Sequence, residues 1–164
     1  MAAQEGEADE ALEHYRTAFA IDDGYVDPML NAAEVLVHPL GEFDEAIALC
    51  DEVLEFVEAP DEVADAVLLK FDALLGKEDP KAARRVLDML PDGPFESPSQ
   101  EFLIGRAWWE AGEHERASSF LEKGVEREPQ NPDAWYYLGL SSDEKGDWKK
   151  AAACFLTARE FDLQ

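Results

Sequence analysis

Two helical patterns separated by a turn fill residues 131–158, which read NPDAWYYLGLSSDEKGDWKKAAACFLTA. The first pattern is an aromatic and leucine-rich run that contains Gly139, and the second places Ala151, Phe155 and Ala158 at offsets of four and seven. Residues at these offsets share one face of an α-helix. The stretch therefore predicts two helices that pack against each other through small and apolar side chains.

The second of these patterns recurs along the chain with a period near 35 residues. Five alanines mark it, spaced by 35, 36, 35 and 34 residues, and each is followed by mostly apolar residues at the fourth and seventh positions. A period of this length indicates repeated helix pairs, each of which buries its apolar face only by stacking on its neighbours. The positions are Ala11, Tyr15 and Ala18; Ala46, Cys50 and Val53; Ala82, Val86 and Met89; Ala117, Leu121 and Gly124; and Ala151, Phe155 and Ala158.

A further helix pattern precedes each of the last four copies and contains an apolar residue followed by a small one. The pairs are Ala32–Ala33, Ile104–Gly105 and Leu138–Gly139, with Leu69–Lys70 as the weak member. Turns are expected at Gly41, Gly76, Gly112 and Gly146. Asp79–Pro80 and Asn131–Pro132 offer helix N-caps, and Ser97 to Gln100 has the spacing of a capping box. We therefore predict about nine helices, at residues 5–21, 27–38, 42–57, 61–75, 79–90, 97–111, 114–126, 131–145 and 147–162.

The last copy, with Trp135-x2-Leu138-Gly139 and then Ala151-x3-Phe155-x2-Ala158, resembles the tetratricopeptide repeat (TPR) family. The preceding copy has Glu101 in the tryptophan position. The resemblance covers nearly the whole chain and implies an all-α fold, an α-solenoid of antiparallel helix pairs in a right-handed superhelix. The implied divisions of this single array, 1–164, are a half repeat at 5–24 and repeats at 26–60, 63–97, 98–131 and 132–164.

Both ends and one loop of the array depart from a regular repeat. The first copy is only half a repeat, and no closing helix follows the last one, so we expect the chain to be a segment of a longer protein. The copy at 26–60 contains one extra residue around His38–Pro39, which leaves its register open by one position. The proline-rich loop 91–98 is the one rigid interruption.

The charge of the chain excludes most nucleic-acid roles. Its 38 acidic residues outnumber its 14 Lys and Arg residues, which gives a net charge of −24, and phosphate binding depends on clustered basic residues. The acidic N-terminus lacks a signal peptide and the chain lacks a membrane-spanning stretch, so we expect a cytoplasmic protein without membrane insertion. Cys50 and Cys154 are expected to be reduced core thiols. The acidity is also compatible with adaptation to high salt.

No residue pattern points to catalysis, to a cofactor or to a metal. The three histidines, His14, His38 and His114, lie on separate repeats, and Asp22-Asp23-Gly24 lacks the remaining ligands of a calcium loop and is interpreted as a turn. The chain has no glycine-rich phosphate loop, and nothing distinguishes a catalytic pair among so many carboxylates. We therefore predict that this chain is not an enzyme.

The resemblance implies that the first helix of each pair lines a concave groove that binds ligands. We assign to this groove the residues that lie between the packing positions of those helices. They are Leu30, Glu34 and Val37 in the first full copy; Val67, Phe71 and Leu74 in the next; Phe102, Arg106, Trp109 and Glu110 in the third; and Tyr136, Leu140, Asp143 and Glu144 in the last.

The groove residues favour a partner with apolar anchors and basic flanks. The family's carboxylate clamp needs paired cations, and Arg106 is the only basic residue in the set, so a clamp is not expected. We predict that a peptide or protein segment binds there, with Phe102 and Trp109 as the main anchors. The alternative is that Phe71, Trp109 and Tyr136 pack between adjacent repeats.

Three readings of function are thus open. The first is a protein-interaction scaffold without chemistry of its own. The second is a regulatory or substrate-docking arm of a larger enzyme, and the third is self-assembly into a homo-oligomer through the uncapped ends of the array.

Overall fold

The computed structural model describes residues 2–21 and 26–163, and within these two ranges the regular structure is entirely helical. This confirms the all-α prediction, and most predicted helix ends agree with the structure to within three residues. The predicted turn Asp22-Asp23-Gly24 lies outside the described residues. The helices are α1 (Ala2–Ile21), α2 (Val26–Val35), α3 (Phe43–Phe56), α4 (Pro60–Gly76), α5 (Pro80–Val86), α6 (Gln100–Glu110), α7 (His114–Arg127), α8 (Pro132–Glu144) and α9 (Trp148–Asp162).

The chain packs as two compact units, residues 1–93 and residues 94–164. In the first unit each helix from α1 to α5 packs against the next one, and in the second unit the same is true from α6 to α9. Short connections make consecutive helices antiparallel neighbours. Each unit is therefore a stack of helix pairs, as the period of the sequence predicts, and the boundary falls within the loop 91–98.

Small residues allow the helices of a pair to approach closely, as predicted. A Cβ atom on Gly105 would lie 2.8 Å from Cγ of Leu121, and one on Gly139 would lie 2.6 Å from Cε1 of Phe155. Both distances are shorter than van der Waals contact allows, so only glycine fits without a shift of the neighbour. Ala117 and Ala151, on the partner helices, are buried as well.

A π-helical turn accommodates the extra residue near His38–Pro39. Helix α2 continues into this turn over Leu36–Leu40, and the N–H of Gly41 donates to the carbonyl of Leu36, five residues earlier. A single π-turn inserts one residue into an α-helix without ending it. Leu36 and Val37 remain buried, so the helix keeps its apolar face despite the insertion.

The copy around α5 departs from the predicted phase. Met89, predicted to face the core, is 50% exposed, whereas Ala83 and Leu87 are fully buried. The α-helix ends at Val86 and becomes a 3-10 turn over Leu87–Met89. The buried residues Ala83, Val86 and Leu87 lie at offsets of three and four residues, so the buried face begins one residue later than predicted. The prediction that Ala82 and Met89 pack in the core with Val86 is therefore wrong for this copy.

The turn before α5 also differs from prediction. Gly41, Gly112 and Gly146 adopt left-handed backbone angles, but in this copy the left-handed residue is Glu78, with φ of 59°. Gly76 is the last residue of α4 instead, where a Cβ atom would lie 2.4 Å from the ring of Phe43. Gly76 is therefore needed for the close packing of α4 against the ring of Phe43, and it does not form the turn.

Two of the three predicted helix starts are confirmed. The Asp79 side chain accepts a hydrogen bond from the N–H of Ala82 at 3.0 Å, and Asn131 caps α8. The predicted capping box is wrong, because α6 begins at Gln100 with Ser99 as its N-cap residue. Ser97 lies in the turn before the helix, where its carbonyl accepts from the N–H of Gln100.

Candidate functional site

Within residues 1–93, three of the six predicted groove residues are buried. Val67 and Phe71 have at most 1% of their surface exposed, and Val37 is buried in the core around α1 to α4. Leu74 and Leu30 are partly buried, and Glu34 is exposed. For Phe71 the structure therefore supports the packing alternative, and neither Val67 nor Phe71 has surface available for a ligand.

Within residues 94–164, the predicted residues form a graded series from buried to exposed. Phe102 is only 5% exposed, and the Arg106 guanidinium lies over its ring at 5.7 Å from the centroid. Trp109 and Leu140 are partly buried, whereas Tyr136 is 48% exposed. The acidic members of the set, Glu110, Asp143 and Glu144, are exposed.

A chain of aromatic contacts joins these side chains through Tyr137, a residue that the sequence analysis did not single out. The Tyr137 ring lies 6.0 Å from Phe102 and 5.5 Å edge-to-face from Trp109, measured between centroids. It also meets Tyr136 at 5.8 Å, and Tyr136 meets Phe155 at 5.7 Å. Burial raises the pKa of Tyr137, and the nearby Glu110 carboxylate raises it further, so the phenol stays protonated.

Trp109 is partly buried, and its ring belongs to this aromatic cluster. Its indole Nε1 is buried without a hydrogen-bond partner, and so is Nδ1 of His114, whose ring lies 6.2 Å away. A buried N–H without a partner weakens the fold unless packing offsets the loss. The ring of Trp109 packs against those of Tyr137 and His114, so the packing alternative describes this side of the residue.

Tyr136 and Leu140 line an open groove of about 520 Å³ between α8 and α9. This groove brings two of the predicted site residues together with Phe155 and Ala158, which the sequence analysis had assigned to packing alone. Pro132, Asp133, Arg159 and Asp162 complete its lining. Asp133 could have been assigned to this groove from the sequence, because it lies three residues before Tyr136 on the same helical face.

Local sequence chemistry fixes the two helices that form this groove. The Asn131 side chain accepts hydrogen bonds from the N–H groups of Asp133 and Ala134 at 3.0 and 3.3 Å, and Pro132 occupies the first helical position. The Trp135 indole N–H donates to the carbonyl of Pro129 at 2.8 Å. Helix α8 therefore begins at a defined residue, and Tyr136 and Leu140 project one turn apart along the groove.

Acidic residues frame the apolar centre of the groove. Asp133, Tyr136, Leu140 and Asp143 follow each other at offsets of three, seven and ten residues, which places them on one face of α8. Among the residues that line the groove, Asp133 and Asp162 are acidic and Arg159 is basic. Because the whole chain has a net charge of −24, the field around the groove favours cations.

Metal and thiol chemistry find little support in the structure. No group of three or more histidine, cysteine or acidic side chains in residues 2–21 and 26–163 is placed to hold a metal ion. Cys50 and Cys154 are free and buried, as predicted. Burial raises the pKa of Cys50 to about 12 and also raises that of Cys154, so both thiols stay protonated and unreactive near neutral pH.

None of the helices in the described part of the chain combines the length and the apolar character that crossing a lipid bilayer requires.

Comparison with known proteins gives matches along nearly the whole chain. Two family models described as tetratricopeptide repeat match residues 2–58 and 102–162, which is more than half of the sequence. Cellulose synthase operon protein C of Pseudomonas fluorescens (strain SBW25) is 29% identical over 161 residues and matches 92% of this chain. The chain spans only 12% of the length of that protein.

Solved structures share the fold. The crystal structure of MamA has a TM-score of 0.71 at 21% identity and covers 97% of this chain and 91% of its own. MamA 41-end from Desulfovibrio magneticus RS-1 has a TM-score of 0.70 at 22% identity, with coverage of 98% and 89%. YrrB, described as a TPR protein with an unusual peptide-binding site, has a TM-score of 0.67 at 21% identity, with coverage of 99% and 81%.

These neighbours confirm the predicted class, an all-α solenoid. On this evidence the chain belongs to the tetratricopeptide repeat family.

Proposed function

We propose that this chain is a protein-interaction scaffold that performs no chemistry and binds a peptide or protein segment with apolar anchors and basic flanks. The observation that carries the proposal is the exposure of Tyr136 in an open groove whose lining also includes the carboxylates of Asp133 and Asp162. A large aromatic side chain that is half exposed in an apolar groove is a typical anchor for a partner. YrrB, which shares the fold, is described as having a peptide-binding site.

The acidic surface supports the expectation of a basic partner. Charges at the rim of an interface act mainly on the rate of association, and salt screens them over about 8 Å at physiological ionic strength. Apolar anchors depend much less on salt. Binding should therefore slow as salt is raised, while the contribution of Tyr136 to affinity remains.

Affinity capture with matched variants tests this function. The immobilised chain and the double variant Tyr136→Ala/Leu140→Ala are exposed to a lysate of the source organism at about 0.05 M and about 0.5 M salt. The control is Leu156→Ala, which removes an exposed apolar side chain of α9 that does not line the groove. We expect a protein that the wild type and the control retain and the double variant loses. Equal retention by all three chains, or by none, would refute the proposed site.

A second candidate function follows from the comparison with Cellulose synthase operon protein C. This chain matches a segment that is 12% of that protein's length, which favours a docking segment within a longer polypeptide. Sequencing the gene on both sides of the segment decides this candidate. An open reading frame that ends at both boundaries of this sequence would remove it.

A further inference from the structure

The partly buried basic side chains pair with carboxylates, with one exception. All Lys and Arg residues lie in the part of the chain that the structure describes. The pairs are Lys70–Asp51, Arg84–Asp88, Arg127–Glu101 and Lys150–Glu122. Arg106 is partly buried as well, but it forms no ion pair with any residue that the structure describes. Because acidic residues outnumber Lys and Arg by 38 to 14, and a partly buried charge is normally paired, the open charge of Arg106 points to a partner outside the chain.

Helix α6 holds Arg106 at a defined position. Its guanidinium lies over the ring of Phe102, 5.7 Å from the centroid, and this cation–π contact restrains the side chain without neutralising its charge. Phe102, Arg106, Trp109 and Glu110 follow one another at offsets of four, seven and eight residues, so they share one face of the helix. The N–H donors of a guanidinium lie in its plane. Contact with the ring therefore leaves donors available to a carboxylate.

Helix α8 adds a phenol beside this guanidinium. The Tyr137 ring lies 6.0 Å from that of Phe102, and its hydroxyl forms no hydrogen bond with the described residues. The pKa of Tyr137 is raised by burial and by Glu110, lowered by Arg106 and raised by Asp133. A charge acts strongly on a titrating group only from nearby. The guanidinium of Arg106 and the hydroxyl of Tyr137 therefore belong to one site, formed by α6 and α8.

Carboxylates flank the Arg106–Tyr137 site on both helices. Glu110 lies one helical turn after Arg106 on α6, and Asp133 lies one turn before Tyr137 on α8. Both carboxylates are exposed. An acidic group that reaches Arg106 is repelled by these neighbours unless the residues next to it carry positive charge. The charges of the site thus fit a segment with one acidic residue between basic ones.

We propose that Arg106 binds the carboxylate of an Asp or Glu side chain within the partner segment, and that Lys or Arg residues flank this side chain on both sides. The inference rests on the proposed function and adds to the basic flanks one position of opposite charge. Two N–H groups of the guanidinium donate to the two carboxylate oxygens, and the Tyr137 hydroxyl donates a further hydrogen bond. A terminal carboxylate fits less well, because a segment that ends at Arg106 leaves the acidic residues on one side of it without a basic partner.

Peptide selection against the full chain supplies the probe. Short random peptides are displayed with their C-terminus fused to the carrier protein, so they present side-chain carboxylates but no terminal one. We expect the retained peptides to share one Asp or Glu between Lys or Arg residues. The tightest binder is then synthesised in three forms, with the acid, with its amide (Asn or Gln) and with Lys at this position. Affinities are measured by fluorescence anisotropy.

Neutral variants of the chain locate the acidic side chain. Arg106→Gln should weaken binding of the acidic peptide at least about tenfold and leave the amide peptide nearly unchanged, because guanidinium and carboxylate act as a pair. Tyr137→Phe removes only the hydroxyl and should weaken the acidic peptide about threefold. The control is Arg116→Gln, which removes a guanidinium that lies 4.7 Å from the centroid of the Trp108 ring. It should change the affinity by less than about twofold.

A charge reversal gives a test that does not depend on a loss of binding. Arg106→Glu should bind the Lys form of the peptide more tightly than the wild type does, and should bind that form more tightly than the acidic form. A variant that has lost its fold cannot show this gain.

Several results would overturn the inference. One is the selection of peptides without an acidic residue, and another is an equal preference for acid over amide in Arg106→Gln and the wild type. A synthetic peptide that depends on Arg106 only when its C-terminus is free, and not when it is amidated, would assign the site to a terminal carboxylate instead. If the selected peptides depend on Tyr136 but not on Arg106, the scaffold function stands and only the acidic position is refuted. Retention of no peptide by the wild type would count against both.

Discussion

The ion pair between Arg127 and Glu101 gives the sharpest test of how the second unit is held together. Arg127 donates to both carboxylate oxygens of Glu101 at 2.9 Å, and also to the carbonyls of Phe95 and Glu96 at 2.9 and 3.0 Å. One side chain thus joins α7 to α6 and to the loop before α6. Glu101 occupies the position where the repeat pattern has tryptophan, so the ion pair replaces an aromatic contact.

The expected cost of Arg127→Leu follows from the burial of its partner. The Glu101 side chain is only 11% exposed and that of Arg127 is 32% exposed. Removing one member of a buried pair costs about 3–5 kcal/mol, because the remaining charge lacks a partner. Water reaches the exposed third of Arg127 and screens the interaction, so we expect a loss of about 2–3 kcal/mol in the free energy of unfolding.

The double variant Glu101→Leu/Arg127→Leu separates the ion pair from general packing. Both charges are then absent, and the leucines replace them with apolar surface. We expect the double variant to lose about 2 kcal/mol less than the sum of the two single variants. Arg127→Lys is the matched control, since it keeps the charge but not the planar pair of donors, and it should lose about 1 kcal/mol.

Urea denaturation followed by tryptophan fluorescence measures these changes in the right part of the chain. All four tryptophans, Trp108, Trp109, Trp135 and Trp148, lie within residues 94–164, so the signal reports on the second unit. A loss below about 1 kcal/mol for Arg127→Leu would contradict the reasoning. So would single-variant losses that simply add in the double variant.

Three further predictions concern single residues. Glu78 adopts a left-handed φ of 59°, which strains a residue with a side chain but not glycine. Glu78→Gly should therefore stabilise the chain by about 1 kcal/mol in urea denaturation. Glu78→Ala keeps the strain and should show no such gain. Burial raises the pKa of Cys50 from 9.0 to about 12, so its stabilising contribution is complete below pH 9 and declines as pH rises toward about 12. Stability should accordingly fall less steeply over this range in Cys50→Ala than in the wild type. Gly105→Ala should lower the melting temperature more than Gly139→Ala. The neighbour of Gly105, Leu121, is fully buried, and its backbone N lies 3.0 Å from the new Cβ. Equal decreases in melting temperature would contradict this prediction, because they would mean that Leu121 and Phe155 move aside equally easily.

The sequence alone was sufficient for the helices, the repeat and the close approaches between paired helices. These features depend on residues that are near in sequence, such as Asn131 before α8, or on a small residue at a fixed offset, such as Gly139. The deviation at His38–Pro39 was also visible as an extra residue, but its absorption in a π-turn was not. The phase of α5 was not predicted, because Ala82 and Ala83 are adjacent and the repeat spacing selects Ala82, whereas the structure buries Ala83.

Exposure of the groove residues was decided only by the tertiary structure. Phe102 and Tyr136 occupy the same position in consecutive repeats, and a pattern of spacing cannot tell them apart. One is 5% exposed and the other 48%, because α8 packs on α6 and α7 while the equivalent groove beside Tyr136 is open. Likewise, the role of Glu101 in the tryptophan position is seen only in the structure, where it forms an ion pair with Arg127, 26 residues away along the chain. Local sequence sets which face a helix presents, but burial depends on which other helix packs against that face.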